Sequence, residues 1–199
     1  GMTTLDMVGP HEVLARLPDA EVIRVAETAG PVMADTGLQV VADAAISEVD
    51  SADILLMPGG TDTWPLLGNE AVLEWVRAID AGSQWTTSVC TGSLVYAAAG
   101  LLTGHKATTH WATLDVLKEF GAEPVKSRVV ESGKYMTAAG VSAGIDMGLT
   151  LAARIAGDEF AQLMQLAIEY DPEPPFDAGS PEKAPHLKDA VIAALSPSG

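Results

Sequence analysis

Short aliphatic runs that each empty into a helical pattern constrain this chain more than any other feature. "ADILLMPGG" (52–60) is a continuous apolar run closed by a Pro-Gly-Gly break, and "WTTSV" (85–89) is a second run of the same kind. A strand covered by helices on both faces loses the polar alternation of a half-exposed strand, so such runs read as buried parallel strands. Between them, "NEAVLEWVRAIDAG" puts Val72, Leu73, Val76 and Ile79 on one helical stripe, with Asn69 as its cap and Gly82 as its stop. "EVIRVAE" (21–27) and "KATTH" (106–110) read as further strands. "TGSLVYAAAG", "WATLDVLKEFG", "SAGIDMGLTLAARIAG" and "DEFAQLMQLAIEY" read as helices, and "RVVESGKYMTAAG" as a hairpin turning at Ser132-Gly133. The alternation predicts an α/β fold, a mainly parallel sheet flanked by helices.

A chain of 199 residues holds one such domain. We place it over residues 1–170 and read 171–199 as a Pro-rich C-terminal extension. "DPEPPFDAGSPEKAP" (171–185) is expected to run extended along the surface, and "HLKDAVIAAL" to close the chain with a short helix. A sheet of this class opens on a strand, whereas this sequence opens on "GMTTLDMVGPHEVL". Val8-Gly9-Pro10 reads as a turn into a helix with Pro10 at its first position. The first strand is therefore expected to be missing from the sequence in hand, about ten residues with its turn.

The formal net charge of -16 repels phosphate backbones and argues against a nucleic-acid partner. Apolar residues make up 48% of the chain and aromatics only 5%, so the core is to be built from Ala, Val, Leu and Ile. No apolar stretch reaches membrane-spanning length, and no basic-then-apolar leader is read at the start. One cysteine cannot make an internal disulfide, which fits a reducing, cytoplasmic setting. His11, His105, His110 and His186 are scattered, so no metal site is expected, and the absence of a Gly-rich phosphate loop argues against a nucleotide cofactor.

The lone cysteine, Cys90, sits in "SVCTGS", where a strand ends and a small-residue helix begins. That is the shape of a nucleophile elbow. Parallel strands present reactive groups at their carboxyl ends, and a helix N-terminus favours thiolate over thiol. The bland alternative is a buried cysteine acting as a small hydrophobe. The next residue is Thr91, so an adjacent histidine partner is missing. Asp6 lies where the first strand would emerge, on the same sheet edge, and a carboxyl beside a thiolate must share a proton with it. A protonated Asp6 that bonds the thiolate and later acts as general acid is one reading; a carboxylate serving only the helix dipole is the other. Gly59-Gly60 follow a strand exit and either aim amides into the cleft as an oxyanion-type donor set or form a plain turn. His110, at the end of "KATTH", is either a base or a structural hydrogen-bonding group.

"GMTTLDMVGPHEVL", "MPGGT", "SVCTGSLV", "AAGLLTGHKATTHW", "GVSAGIDMGLTLAA" and "EYDPEPPFDAGSP", in that order, resemble the ThiJ/PfpI superfamily, and the Pro-rich last segment resembles its isocyanide hydratase branch. The resemblance implies a flavodoxin-like sandwich of the class I glutamine amidotransferase type and a homodimer. It implies hydration of a small-molecule isocyanide to an N-substituted formamide through a cysteine thioimidate. By position it gives Cys90 the nucleophile's role, Asp6 that of acidic partner and Thr91 that of the hydroxyl beside the sulfur. Gly60 is to lie in the loop lining the site, Val141 is to open the helix that packs near the cysteine, and both, with His110, are expected to bind the substrate. "TAAGVSAG" (137–144) departs from the branch, where more glycine and an Ile-Thr pair are expected, which leaves the substrate less defined than the chemistry. The alternatives are a sensory or binding domain related to AraC-type regulators, a cysteine-dependent glyoxalase or deglycase, and a redox-sensing thiol.

Overall fold

A computed structural model describes residues 1–195. In chain order the elements are α1 (Thr4–Leu14), β1 (Val25–Ala26), β2 (Gly30–Met33), β3 (Gln39–Ala42), β4 (Ala44–Ala45), β5 (Ile54–Met57), α2 (Thr63–Leu66), α3 (Glu70–Gly82) and β6 (Trp85–Val89). There follow α4 (Gly92–Ala98), β7 (Lys106–Ala107), α5 (Val116–Glu119), β8 (Glu123–Pro124), β9 (Val129–Ser132), β10 (Tyr135–Ala138), α6 (Ala143–Ala156), α7 (Asp158–Ala167) and α8 (Lys188–Leu195). The central sheet has the order β5-β6-β10-β9; β5, β6 and β10 are parallel, and only β9 runs against them. Two parallel pairs, β1–β4 and β7–β8, and the antiparallel β2–β3 complete the strands. The fold is α/β, with parallel pairing dominant and helices on both faces of the sheet.

Each face of the central sheet carries its own core. On one side α3 and α4 bury Val76, Ile79, Leu94, Val95 and Tyr96, joined by Leu102 and Leu117. The Tyr96 hydroxyl donates to the Thr87 carbonyl at 2.9 Å, so this large ring is buried without an orphan polar atom. On the other side α1, α6 and α7 bury Val13, Met147, Leu151 and Met164 against Val89, Met136 and Ala138. Sealing each such side chain is worth roughly 1.5–3 kcal/mol, so the two clusters carry most of the drive to fold. The α1–α6 crossing is close because Gly144 lies against Pro10 Cδ, where an added Cβ would stand at 3.0 Å.

The α3 helix and β6 match the sequence reading, with Asn69 accepting from the Val72 amide. Other elements differ. Pro10 is not at the start of its helix but inside it, since Thr4 begins the helix six residues earlier. Its missing N–H leaves the Asp6 carbonyl without its helical donor, which the packing of Gly9 and Pro10 on α6 offsets. "EVIRVAE" narrows to the two residues of β1, and "KATTH" to the two of β7. Beyond Ala107, the Thr108 amide leaves the strand pattern and donates to Thr137 Oγ1 at 2.9 Å. "WATLDVLKEFG" breaks into a 3-10 turn over Trp111–Thr113 and the short α5. The hairpin pairs Ser132 with Tyr135, so its two turn residues are Gly133 and Lys134, with Gly133 at φ 65°.

The strands do not close into one sheet. Between β1 and the outer edge of β5 lies a groove of about 760 Å3, lined by Leu14 and Leu17 of α1, Ile23, Val25, Leu56 and Trp85. The edge of β5 that faces it has no strand partner among the described residues.

Candidate active site

The carboxyl ends of β5, β6 and β10 meet at one edge, and Cys90 follows β6 directly. Its backbone sits at φ 56°, in the left-handed region that costs a non-glycine residue of order 1 kcal/mol or more. Four hydrogen bonds hold it there. The Cys90 amide donates to the Ala138 and Ala139 carbonyls at 3.1 and 3.2 Å. Its carbonyl accepts from Thr109 Oγ1 at 2.8 Å and from Ser93 Oγ at 3.3 Å. The turn into α4 passes so close to β5 that a Cβ on Gly92 would overlap the Met57 carbonyl oxygen. The strand, the sharp left-handed cysteine and the glycine after the next residue form a nucleophile elbow.

Asp6 stands on the first turn of α1 and is fully buried. Its Oδ2 accepts from the Gly59 amide at 3.0 Å, and its carboxyl lies close enough to the Cys90 thiol for each group to shift the other's pKa. Its Oδ1 takes no bond from the protein's N–H and O–H groups. The structure thus brings together the two groups that the sequence places 84 positions apart. Burial raises the Asp6 pKa to about 7, partly offset by the bonds from Gly59 and Cys90. Burial raises the Cys90 pKa to about 12, and the Asp6 charge adds to it. Between these values the pair holds one proton, which the two groups share as a coupled unit. With Cys90 only 6% exposed and Asp6 fully buried, desolvation disfavours the charge on either group.

Thr91 Oγ1 accepts from the Gly60 amide at 3.0 Å and shares a hydrogen bond with Thr63 Oγ1 at 2.8 Å. The hydroxyl and amide of Thr91 both support the sulfur electrostatically. Gly60 lines the cavity at φ 146°, a conformation open to glycine. Its amide is not a free oxyanion donor, and neither is that of Gly59; Thr91 and Asp6 take them. His110 and Val141 also line the cavity. The Ala112 amide donates to His110 Nδ1 at 3.3 Å, which leaves the ring proton on Nε2, and burial lowers the His110 pKa. Val141 lies two residues before α6 and does not open it. All six residues singled out in the sequence therefore surround one cavity of about 80 Å3 or support its walls.

Sequence reasoning missed Thr63 and Thr109, which tie down Thr91 and the Cys90 carbonyl, and Thr3, which donates to Asp35 Oδ2 at 2.5 Å at the cavity mouth. Thr109 lies within "KATTH", where a reading as continuous strand hid it. It also missed Trp64 and Leu195 as cavity walls. Among the described residues, no cluster of three or more His, Cys, Asp and Glu side chains is placed to hold a metal ion.

A mainly parallel α/β sheet with an elbow cysteine paired to a buried carboxyl defines the class of protein. The sequence profile of the DJ-1/PfpI family matches residues 1–154, and the chain belongs to that family. Isonitrile hydratase of Pseudomonas putida is 49% identical over 181 residues, covering 91% of this chain and 79% of the relative. The HTH-type transcriptional regulator CdhR of Pseudomonas aeruginosa is 35% identical over 135 residues, 66% of this chain and 40% of the regulator. The crystal structure of a ThiJ/PfpI family protein from Pseudomonas syringae superposes with a TM-score of 0.94 at 41% identity, covering 98% of this chain and 82% of that one.

Proposed function

We propose that this protein is an isonitrile hydratase, a hydro-lyase that converts an isocyanide and water to an N-substituted formamide with Cys90 as nucleophile. The observation that carries the proposal is the buried Cys90–Asp6 pair, one proton between two groups of raised pKa, in a protein 49% identical to a named isonitrile hydratase. The isocyanide carbon carries a lone pair and is also electrophilic, so it needs a nucleophile and a proton at the same atom. As sulfur bonds to that carbon, the thiol proton passes to the Asp6 carboxylate. Asp6 then protonates the carbon, giving the thioimidate R–N=CH–S–Cys90. Water adds to the C=N bond: its oxygen bonds carbon, one proton goes to nitrogen and the second returns through Asp6. The C–S bond breaks, R–NH–CHO leaves and sulfur regains its proton.

A carboxyl with a pKa about 7 suits both directions of transfer, because an acid–base catalyst works best near the operating pH. Thr91, held by Thr63 and the Gly60 amide, is in place to orient the water. A neutral His110 offers its Nε2 proton to the nitrogen that gains charge. The cavity of about 80 Å3 is far below the few hundred Å3 of a drug-sized site, in keeping with a small substrate. The same reading takes the protein as a cytoplasmic homodimer without a nucleic-acid partner; the net charge of -16 supports the last point. Among the described residues no helix is long and apolar enough to cross a membrane. The test is formamide production from p-nitrophenyl or cyclohexyl isocyanide. Turnover by the protein and none by Cys90→Ala is expected; equal turnover by both overturns the assignment.

A further inference from the structure

The C-terminal tail does not drift away from the domain. Glu182 forms an ion pair with Lys126 on the segment before β9, and Ala184 is buried. From this anchorage a 3-10 turn over Pro185–Leu187 leads into α8, whose eight residues span about 12 Å. Val191 and Leu195, one turn apart, share a face. Leu195 reaches the nucleophile cavity, where it stands as a wall with Cys90, Trp64, His110 and Val141. It is 45% exposed, so it sits at the mouth and not within the core.

We propose that Leu195 is a specificity-determining residue: the tail helix supplies the apolar wall that limits the size of the group R a ligand can bring to Cys90. The tail lies outside residues 1–154, which the family profile matches. The match to isonitrile hydratase covers 91% of the chain and so runs into the tail, whereas the match to the regulator covers 66%. The domain then supplies the nucleophile and its proton partner, and the tail selects among small ligands. The ligand class is a compact isocyanide whose R group fits under a leucine. This rests on the hydratase reading, but the wall itself is measurable without it.

Cys90 is the only thiol in the chain, so alkylation reports access to one atom. Sulfur displaces iodide from an iodoacetamide, the S–C bond forms and the thiol proton leaves to solvent. The rates with iodoacetamide and with the bulkier N-phenyl iodoacetamide are read by intact mass for the protein, Leu195→Ala and Leu195→Trp. In Leu195→Ala the bulky-to-small rate ratio is expected to rise on the order of tenfold, and in Leu195→Trp to fall on the order of tenfold. Ratios within about twofold of the parent for both variants overturn the proposal. The kcat/KM ratio for cyclohexyl over methyl isocyanide is expected to move the same way. If the alkylation ratio shifts while no form makes formamide, the wall stands and the hydratase reading falls. If formamide forms and neither ratio shifts, the reading stands and the wall falls.

Discussion

Two neighbouring strands, β6 and β5, carry the two extremes of this fold. At the carboxyl end of β6 the chain holds Cys90 in a costly backbone conformation with two bonds from its amide and two to its carbonyl. Along its outer edge β5 faces an apolar groove of about 760 Å3 with no strand partner among the described residues. The contrast teaches where rigidity is concentrated. A strained, desolvated pair needs redundant bonds to persist, while side chains along an open groove gain fewer packing contacts than those in a sealed core. The site hangs on β6, the strand paired on both sides, and not on the edge strand.

The largest effect that would break this comparison is chemical. Cys90→Ala is expected to lower formamide production by about 10³-fold or more, with the circular dichroism spectrum unchanged. Asp6→Asn is expected to slow turnover by roughly 10²- to 10⁴-fold and yet to be the more stable protein. A carboxyl whose folded pKa is about 7, against 3.8 unfolded, destabilises the fold when ionised. That penalty is absent below pH 4, grows between pH 4 and 7, and above pH 7 reaches at most about 4 kcal/mol. Thermal melts should therefore show Asp6→Asn above the parent at pH 8 and level with it near pH 4. A lower melting temperature at pH 8 would mean that the site costs the fold nothing.

Next in size is the difference between the strands beside the groove and the central strand β6. Amide hydrogen exchange at Leu56 and Val25, beside the groove, should be at least about tenfold faster than at Thr87 and Ser88 in β6. Equal protection would mean that the groove is filled or closed in solution. The smallest effect sharpens the view of the elbow. Thr109→Val keeps the shape of the side chain and removes one bond to the Cys90 carbonyl, so about 1 kcal/mol of stability should be lost in urea melts. A loss several times larger would make Thr109 the main support of the elbow.

Much of this was legible in the sequence where the signal was local and periodic. The stripe of α3, the run of β6 and the step from strand to small-residue helix at Cys90 are matters of spacing, and the structure follows them. Asp6 was legible because a parallel sheet gathers its exits at one edge. The failures have a different cause. Pro10 reads as a helix start, but α1 runs through it because packing on α6 offsets the lost bond. "KATTH" reads as one strand, but Thr108 and Thr109 are drawn off by side-chain bonds to Thr137 and Cys90. The sequence leaves the Gly59 and Gly60 amides open between a donor set and a plain turn, because nothing local shows that Asp6 and Thr91 take them. The raised pKa values of the pair were the least legible feature, because they depend on burial, which spacing along the chain does not encode.

The central claim is that Cys90 and Asp6 act as one unit with a single proton, and the pH dependence of kcat/KM for formamide formation tests it most directly. The account predicts a rise through an apparent pKa about 7, as the pair loses its first proton, then a plateau across the alkaline range until the second is lost near 12. A profile already flat from pH 5 upward, or one that first rises near pH 9 as an isolated thiol would, contradicts it.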